Sequence, residues 1–135
     1  MHRIIYDQHP AILAWAEARI GWNLPDSYTI AGEVDGVIEC VAVFSRSHFD
    51  DMEISFATRS PKWQSRRYIR AVFGYVFYQL GKARCTALVL ANNEKSANLV
   101  ERLGFRLEGR ARKVNKGTDL LIYGMLKEEC RWIKQ

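Results

Sequence analysis

The densest group of chemically able side chains lies between Pro61 and Arg70, where Lys62, Arg66, Arg67 and Arg70 crowd the start of a helix pattern. Guanidinium groups bind phosphate through paired N–H donors, so this spacing suits a polyoxygen anion. Cations at a helix N-terminus also oppose the helix dipole, and a bound anion relieves that opposition. The same residues equally describe a solvated basic turn. The chain's net charge of +5 favours the phosphates of a nucleotide-like cofactor, a nucleic acid or an acidic protein, without choosing among them. A second basic run (Arg106, Arg110, Arg112, Lys113, Lys116) alternates along a strand pattern. It lacks the interleaved aromatics of a nucleic-acid platform, which disfavours that partner. His2, His9 and His48 have neither metal nor triad spacing, and Cys40, Cys85 and Cys130 stand apart in apolar contexts. The expectation is therefore no metal site, and reduced, buried thiols in a cytoplasmic protein.

The elements that must position these groups follow from periodicity. At 135 residues, with 48% hydrophobic and 26% charged residues, the chain reads as one soluble domain spanning residues 1–135. No apolar run approaches the roughly 20 residues of a membrane helix, and the Met1–Tyr6 segment resembles a short strand rather than a signal peptide. Asp7 to Pro10 lead into a helix in which Ile12, Leu13, Ala16 and Ile20 share a face, ending at Gly21. Tyr28–Val34 and Val37–Phe44 flank Asp35-Gly36, a hairpin signal, and Met52–Thr58 is a third strand. After Pro61, Ile69, Val72, Phe73, Val76, Phe77 and Leu80 repeat at helical spacing up to Gly81. Thr86–Ala91 is a nearly continuous apolar run, as in a strand covered on both faces. Asn92-Asn93 open a shorter helix stopped by Gly104, and Phe105–Val114 and Asp119–Leu126 pair across Lys116-Gly117. The order is β-α-β-β-β-α-β-α-β-β, an α/β (α+β) arrangement with a mixed sheet flanked by helices.

The stretch from Asn93 to Phe105, Asn-Glu-Lys-Ser-Ala-Asn-Leu-Val-Glu-Arg-Leu-Gly-Phe, resembles the Asn-x-x-(Ser/Ala) helix ending in Leu-Gly-Phe of the GNAT acyl-CoA N-acyltransferases. Glu53 to Thr58 is similar to that superfamily's fourth strand. Arg106 to Arg110 and Tyr123 to Leu126 resemble the last strands of the subgroup that acetylates protein N-termini, ribosomal proteins included. There is a looser similarity to small GNAT-like proteins of phages and prophages. The resemblance runs from about Ile30 to Trp132 and implies a mostly antiparallel sheet. Its implied activity is transfer of an acetyl group from acetyl-CoA to a primary amine: a protein N-terminus, a lysine or a small amine. It is compatible with a homodimer.

Carried over residue by residue, Phe56, Ala57 and Thr58 take the strand edge that pairs with pantetheine, and Asn93 lies near the pantetheine–pyrophosphate arm. Ala57 N–H is the expected oxyanion donor. The pyrophosphate loop departs from the family. Its usual glycines are replaced in Ser60-Pro61-Lys62-Trp63-Gln64-Ser65 by Trp63 and Ser65, and Pro61 has no N–H to offer. Lys62, Trp63, Gln64, Ser65, Arg66 and Arg67 are the replacements for cofactor contact, with Trp63 either stacked on the cofactor or packed on the core. Glu53 matches a position that supplies the general base in some members. Val100 stands where a tyrosine acid is usual, leaving Ser96 or water to protonate the thiolate. The alternative function is a catalytically inactive GNAT-fold binding or structural protein with a degenerate loop. The fourth and fifth strands, Met52–Thr58 and Thr86–Ala91, are expected to diverge at their C-terminal ends.

Overall fold

Hairpin chemistry organises the first half of the chain. The computed structural model describes residues 1–6 and 9–135; the helix lead-in expected at Asp7 falls outside them. The elements are β1 (His2–Ile5), α1 (Pro10–Ile20), β2 (Tyr28–Val34), β3 (Val37–His48), β4 (Asp51–Thr58), a 3-10 turn (Pro61–Trp63), α2 (Arg66–Gly74), β5 (Arg84–Leu90), α3 (Glu94–Leu103), β6 (Arg106–Asn115) and β7 (Thr118–Leu126). Asp35 and Gly36 both take positive φ (50° and 83°), the geometry of a type I′ turn matched to strand twist. Lys116 and Gly117 do the same between β6 and β7.

The strands form one sheet in the order β1-β2-β3-β4-β5-β7-β6. Every pairing is antiparallel except β4 with β5, which is parallel. Such a parallel pair needs a crossover, and α2 supplies it. The helix expected to run to Leu80 is α-helical only to Gly74. Tyr75–Gln79 then winds as a π-turn, Leu80 N–H donating to Tyr75 O at 2.9 Å. Val76 and Phe77 stay in the core, and Tyr75 stacks on Tyr28 with ring centroids 4.6 Å apart.

Strand alternation divides the core in two. On one face Ile30, Cys40, Ala42, Ile54, Ala87 and Tyr123 pack against Val72, Phe73 and Phe77 of the crossover and Leu99, Val100 and Leu103 of α3. On the other, Ala31, Val41, Val43 and Ala57 receive Ala16, Ile12 and Leu13 of α1, which lies across β2, β3 and β4. On that second face Leu88 and Leu90 of β5 and Leu120 and Ile122 of β7 remain partly exposed. All three cysteines are buried and unpaired, and burial pushes the Cys40 thiol up to about 12. Among the described residues no helix is long and apolar enough to cross a membrane.

Candidate active site

The site begins where β4 and β5 part. Their pairing covers Asp51↔Arg84 to Ile54↔Ala87 and then stops. Beyond it, β4 continues on β3 alone through Ser55–Thr58, while β5 continues on β7 to Leu90. The expected divergence is therefore present. Among the described residues it leaves one edge of Ser55–Thr58 without a strand partner, and such an edge is a template for an extended amide-bearing chain.

Alternation decides which amides face the gap. Arg59 N–H donates to Glu39 O at 2.8 Å, and Thr58 lies opposite Cys40 in the same antiparallel register. In an antiparallel ladder the bonded pairs alternate. The Ala57 and Ser55 amides therefore point to β3, and those of Phe56 and Thr58 point to the gap. Sequence matching favours Ala57 as a donor; the ladder favours its two neighbours.

Three cavities that share lining residues follow the gap. A narrow passage of about 60 Å³ runs between Ile54–Phe56 of β4 and Ala87–Leu90 of β5, with Asn93, Ser96 and Val100 from α3 and Trp22 from the α1–β2 connector. On one side it shares Phe56, Asn93, Ser96 and Leu99 with a groove of about 470 Å³. On the other it shares Trp22, Ile54, Ser55, Leu88 and Leu90 with a cavity of about 570 Å³ that reaches Glu53.

The larger groove brings together Phe56, Ala57, Thr58, Trp63, Gln64, Asn93 and Ser96. Asn93 caps α3, its Oδ1 accepting from Ser96 N–H at 3.1 Å. Trp63 is only 4% exposed and lies edge-on to Tyr68, so it forms the groove floor as a core residue. Lys62, Ser65, Arg66 and Arg67 are not among its lining residues. Ser65 caps α2 by accepting from Tyr68 N–H at 3.0 Å, and Arg67 Nη1 donates to His2 O on β1 at 3.3 Å.

The cations that do line the groove are Arg19, Arg59, Lys95 and Arg102. Two of these carried a sequence signal: Lys95 and Arg102 are seven apart and thus share a face of α3. Arg59 is fixed by Glu39, a carboxylate only 2% exposed. Glu39 accepts from Arg59 Nη1 at 3.2 Å and from Ser60 Oγ at 2.5 Å. A lone glutamate inside the apolar run of β3 was the available sign of this anchor. Ser60 in turn caps the 3-10 turn through Lys62 N–H, so one buried carboxylate sets the groove wall after β4.

Glu53 lies on the open face of β4, beside Thr86 of β5, in the other cavity. Its side chain is 17% exposed and 3.8 Å from Arg46 Nε. Burial raises its carboxyl above the ordinary glutamate value; Asp51 adds to the rise, while Arg46 and His48 oppose it. That moves the group toward the pKa at which a carboxylate works as a base near neutrality. Among the described residues, no group of His, Cys, Asp or Glu is placed to hold a metal.

The donor set fits an acyl-CoA in three respects: a strand edge with free amides, a groove beside it, and four cations lining that groove. The missing glycine cradle does not remove that fit, because side chains from β4's end and α3 occupy the groove.

No family model matches the sequence, and no curated protein matches it. Solved structures do. A chimeric form of the spermidine N-acetyltransferase SpeG from Vibrio cholerae aligns over 94% of this chain and 96% of its own, with TM-score 0.71 and 14% identity. A GNAT-family acetyltransferase from Bacillus anthracis aligns over 84% and 71%, with TM-score 0.63 and 20% identity. A further structure, of a protein assigned as an acetyltransferase, gives TM-score 0.66 at 23% identity over 78% of this chain, which spans only 59% of that one. These likenesses show that the chain has the GNAT acetyltransferase fold.

Proposed function

We propose that this chain is an acyl-CoA-dependent N-acyltransferase, moving an acetyl group from acetyl-CoA to a primary amine. The observation that carries the reading is the break in β4–β5 pairing, with cavities on both sides that share lining residues across it. A bound acetyl-CoA supplies the thioester. The Phe56 and Thr58 amides would hold its amide-bearing arm together with Asn93, and Arg59, Lys95 and Arg102 would hold its phosphates.

Glu53 takes a proton from the acceptor, since only a neutral amine attacks, and the raised pKa of its carboxyl supports that task. The N–C bond forms as the C–S bond breaks, and the departing sulfur receives a proton from Ser96 or from water. Burial on both sides of the gap holds the two reactants together, so positioning carries much of the rate. The likeness of β6 and β7 to N-terminal acetyltransferases supports keeping a protein N-terminus among the acceptors, with lysine and small amines.

The test is release of free thiol from acetyl-CoA in the presence of an amine and peptide panel, with acetylated product identified by mass. Transfer is the expected result. Tight acetyl-CoA binding without transfer to any member would instead favour an inactive GNAT-fold binding protein.

A further inference from the structure

The cavity beyond the gap carries information about the acceptor. Glu53 is the one carboxylate lining it among the described residues, and Arg46 the one cation. That carboxylate already has Arg46 Nε at 3.8 Å. The rest of the wall has two parts: an apolar one of Leu24 from the α1–β2 connector, Leu88 and Leu90 of β5, Leu120 of β7 and Val114 near the β6–β7 turn, and an uncharged polar one of Asn23, Ser45, Ser55 and Asn115. Leu90 and Leu120 are direct cross-strand partners. Leu88, Leu90, Leu120 and Val114 belong to neither packed core, and Val114 is 49% exposed. This is apolar surface that folding leaves at the mouth of a cavity whose one carboxylate is paired with one arginine.

Such a lining discriminates among amines. A polyamine carries several ammonium groups at neutral pH, and each desolvated charge needs its own partner. Here the first would meet Glu53, and the others would find no second carboxylate among the lining residues. An amine with one charge and a hydrocarbon body satisfies both halves of the wall.

We propose that the acceptor is a small primary monoamine carrying an apolar arm. Glu53 receives the amine, and the wall of Leu88, Leu90 and Leu120 receives the arm. This rests on the acyltransferase reading for its chemistry, but the binding preference is measurable without turnover. It also separates this chain from the spermidine enzyme whose fold it shares.

The experiment is calorimetric titration of the protein with ethylamine, hexylamine and spermidine. Each buried methylene strengthens binding about fourfold, so hexylamine is expected to bind at least tenfold more tightly than ethylamine, and more tightly than spermidine. Leu120→Asp places a second carboxylate in the wall at a half-buried position. It should weaken hexylamine at least tenfold and strengthen spermidine; Leu88→Gln, a milder change, should weaken hexylamine alone. Equal affinity for ethylamine and hexylamine, a wild-type preference for spermidine, or no amine binding would overturn the proposal. A leucine-initiated tripeptide binding more tightly than hexylamine would overturn it in favour of a protein N-terminus. Hexylamine binding in a protein that ignores acetyl-CoA would keep the amine site and sink the acyltransferase reading. Transfer that prefers spermidine would do the reverse.

Discussion

The two halves of β4 share one strand and do different things. Asp51–Ile54 is held on both sides, by β3 and by β5. Over its open face runs a polar bracket: Thr86 Oγ1 donates to Asp51 Oδ2 at 2.7 Å, and Arg84 lies 3.4 Å from Asp51 and 2.7 Å from Glu108 of β6. That bracket crosses β7 at Gly124, where a Cβ would collide with the Glu108 carboxylate and the Arg84 guanidinium. Ser55–Thr58 is held on one side only. The first half is sheet; the second is an edge inside the molecule, and its outward amides are available to a ligand. The difference is why the proposed cofactor edge is placed where ladder pairing ends rather than where charge is densest.

The comparison breaks most visibly at Glu53, the paired-half residue that lines the proposed acceptor cavity. Glu53→Gln is expected to lower turnover about 10²–10⁴-fold, the range of one general base, with a smaller loss at high pH where the amine deprotonates unaided. Stability should move the other way. The folded state holds this proton more tightly than the unfolded chain. Wild-type stability therefore declines as pH rises from the ordinary glutamate value through the raised one. Above that window Glu53→Gln should melt higher than wild type, and below it the two should coincide. An unchanged rate and pH profile would remove Glu53 from the mechanism.

Next in size is a proline pair along the released half. Ala57→Pro deletes an amide aimed at β3 and should cost about 3 kcal/mol in denaturant unfolding. Thr58→Pro deletes one aimed at the gap. It should leave the unfolding midpoint nearly unchanged while weakening acetyl-CoA binding at least tenfold. Equal stability losses would show that the amides do not alternate as described.

Gly124→Ala probes the paired half. The methyl must displace the Arg84–Glu108 bridge, and overpacking of this kind costs about 1–3 kcal/mol. Coenzyme A affinity should be unaffected. A neutral result in thermal melts would mean that the bracket yields freely.

The smallest effect separates two cationic groups. Arg59→Ala with Arg102→Ala should weaken coenzyme A about tenfold, with a shallower salt dependence. Arg66→Ala with Arg67→Ala should change it less than about threefold, as expected of exposed charges outside the groove. The opposite ranking would return phosphate recognition to the start of α2.

That ranking marks how far the sequence could be read. The strand and helix order, both two-residue turns and the Asn93 cap were legible because each is written in local periodicity or turn chemistry, whereas the parting of β4 from β5 was expected from the resemblance to the GNAT superfamily. The groove's cations were less so. The density of Lys62, Arg66 and Arg67 is a local signal, but the direction of those side chains is set by tertiary partners. Arg67 reaches His2, 65 residues away in sequence, and Trp63 turns into the core. Glu39 gains its meaning only when Arg59 and Ser60 fold over it, and the π-turn at Tyr75–Gln79 preserves the same apolar spacing that an α-helix would show.

The central claim is that the unpaired edge of Ser55–Thr58 receives an acyl-CoA. The direct measurement is a backbone-amide NMR titration of the isotopically labelled protein with acetyl-CoA. Saturable shifts should be largest at Phe56, Thr58 and the Asn93–Leu99 turn of α3, and small at Asp51–Ile54 and at Arg66–Arg67. Absence of saturable shifts at Phe56 and Thr58, or shifts centred on the start of α2, would contradict it.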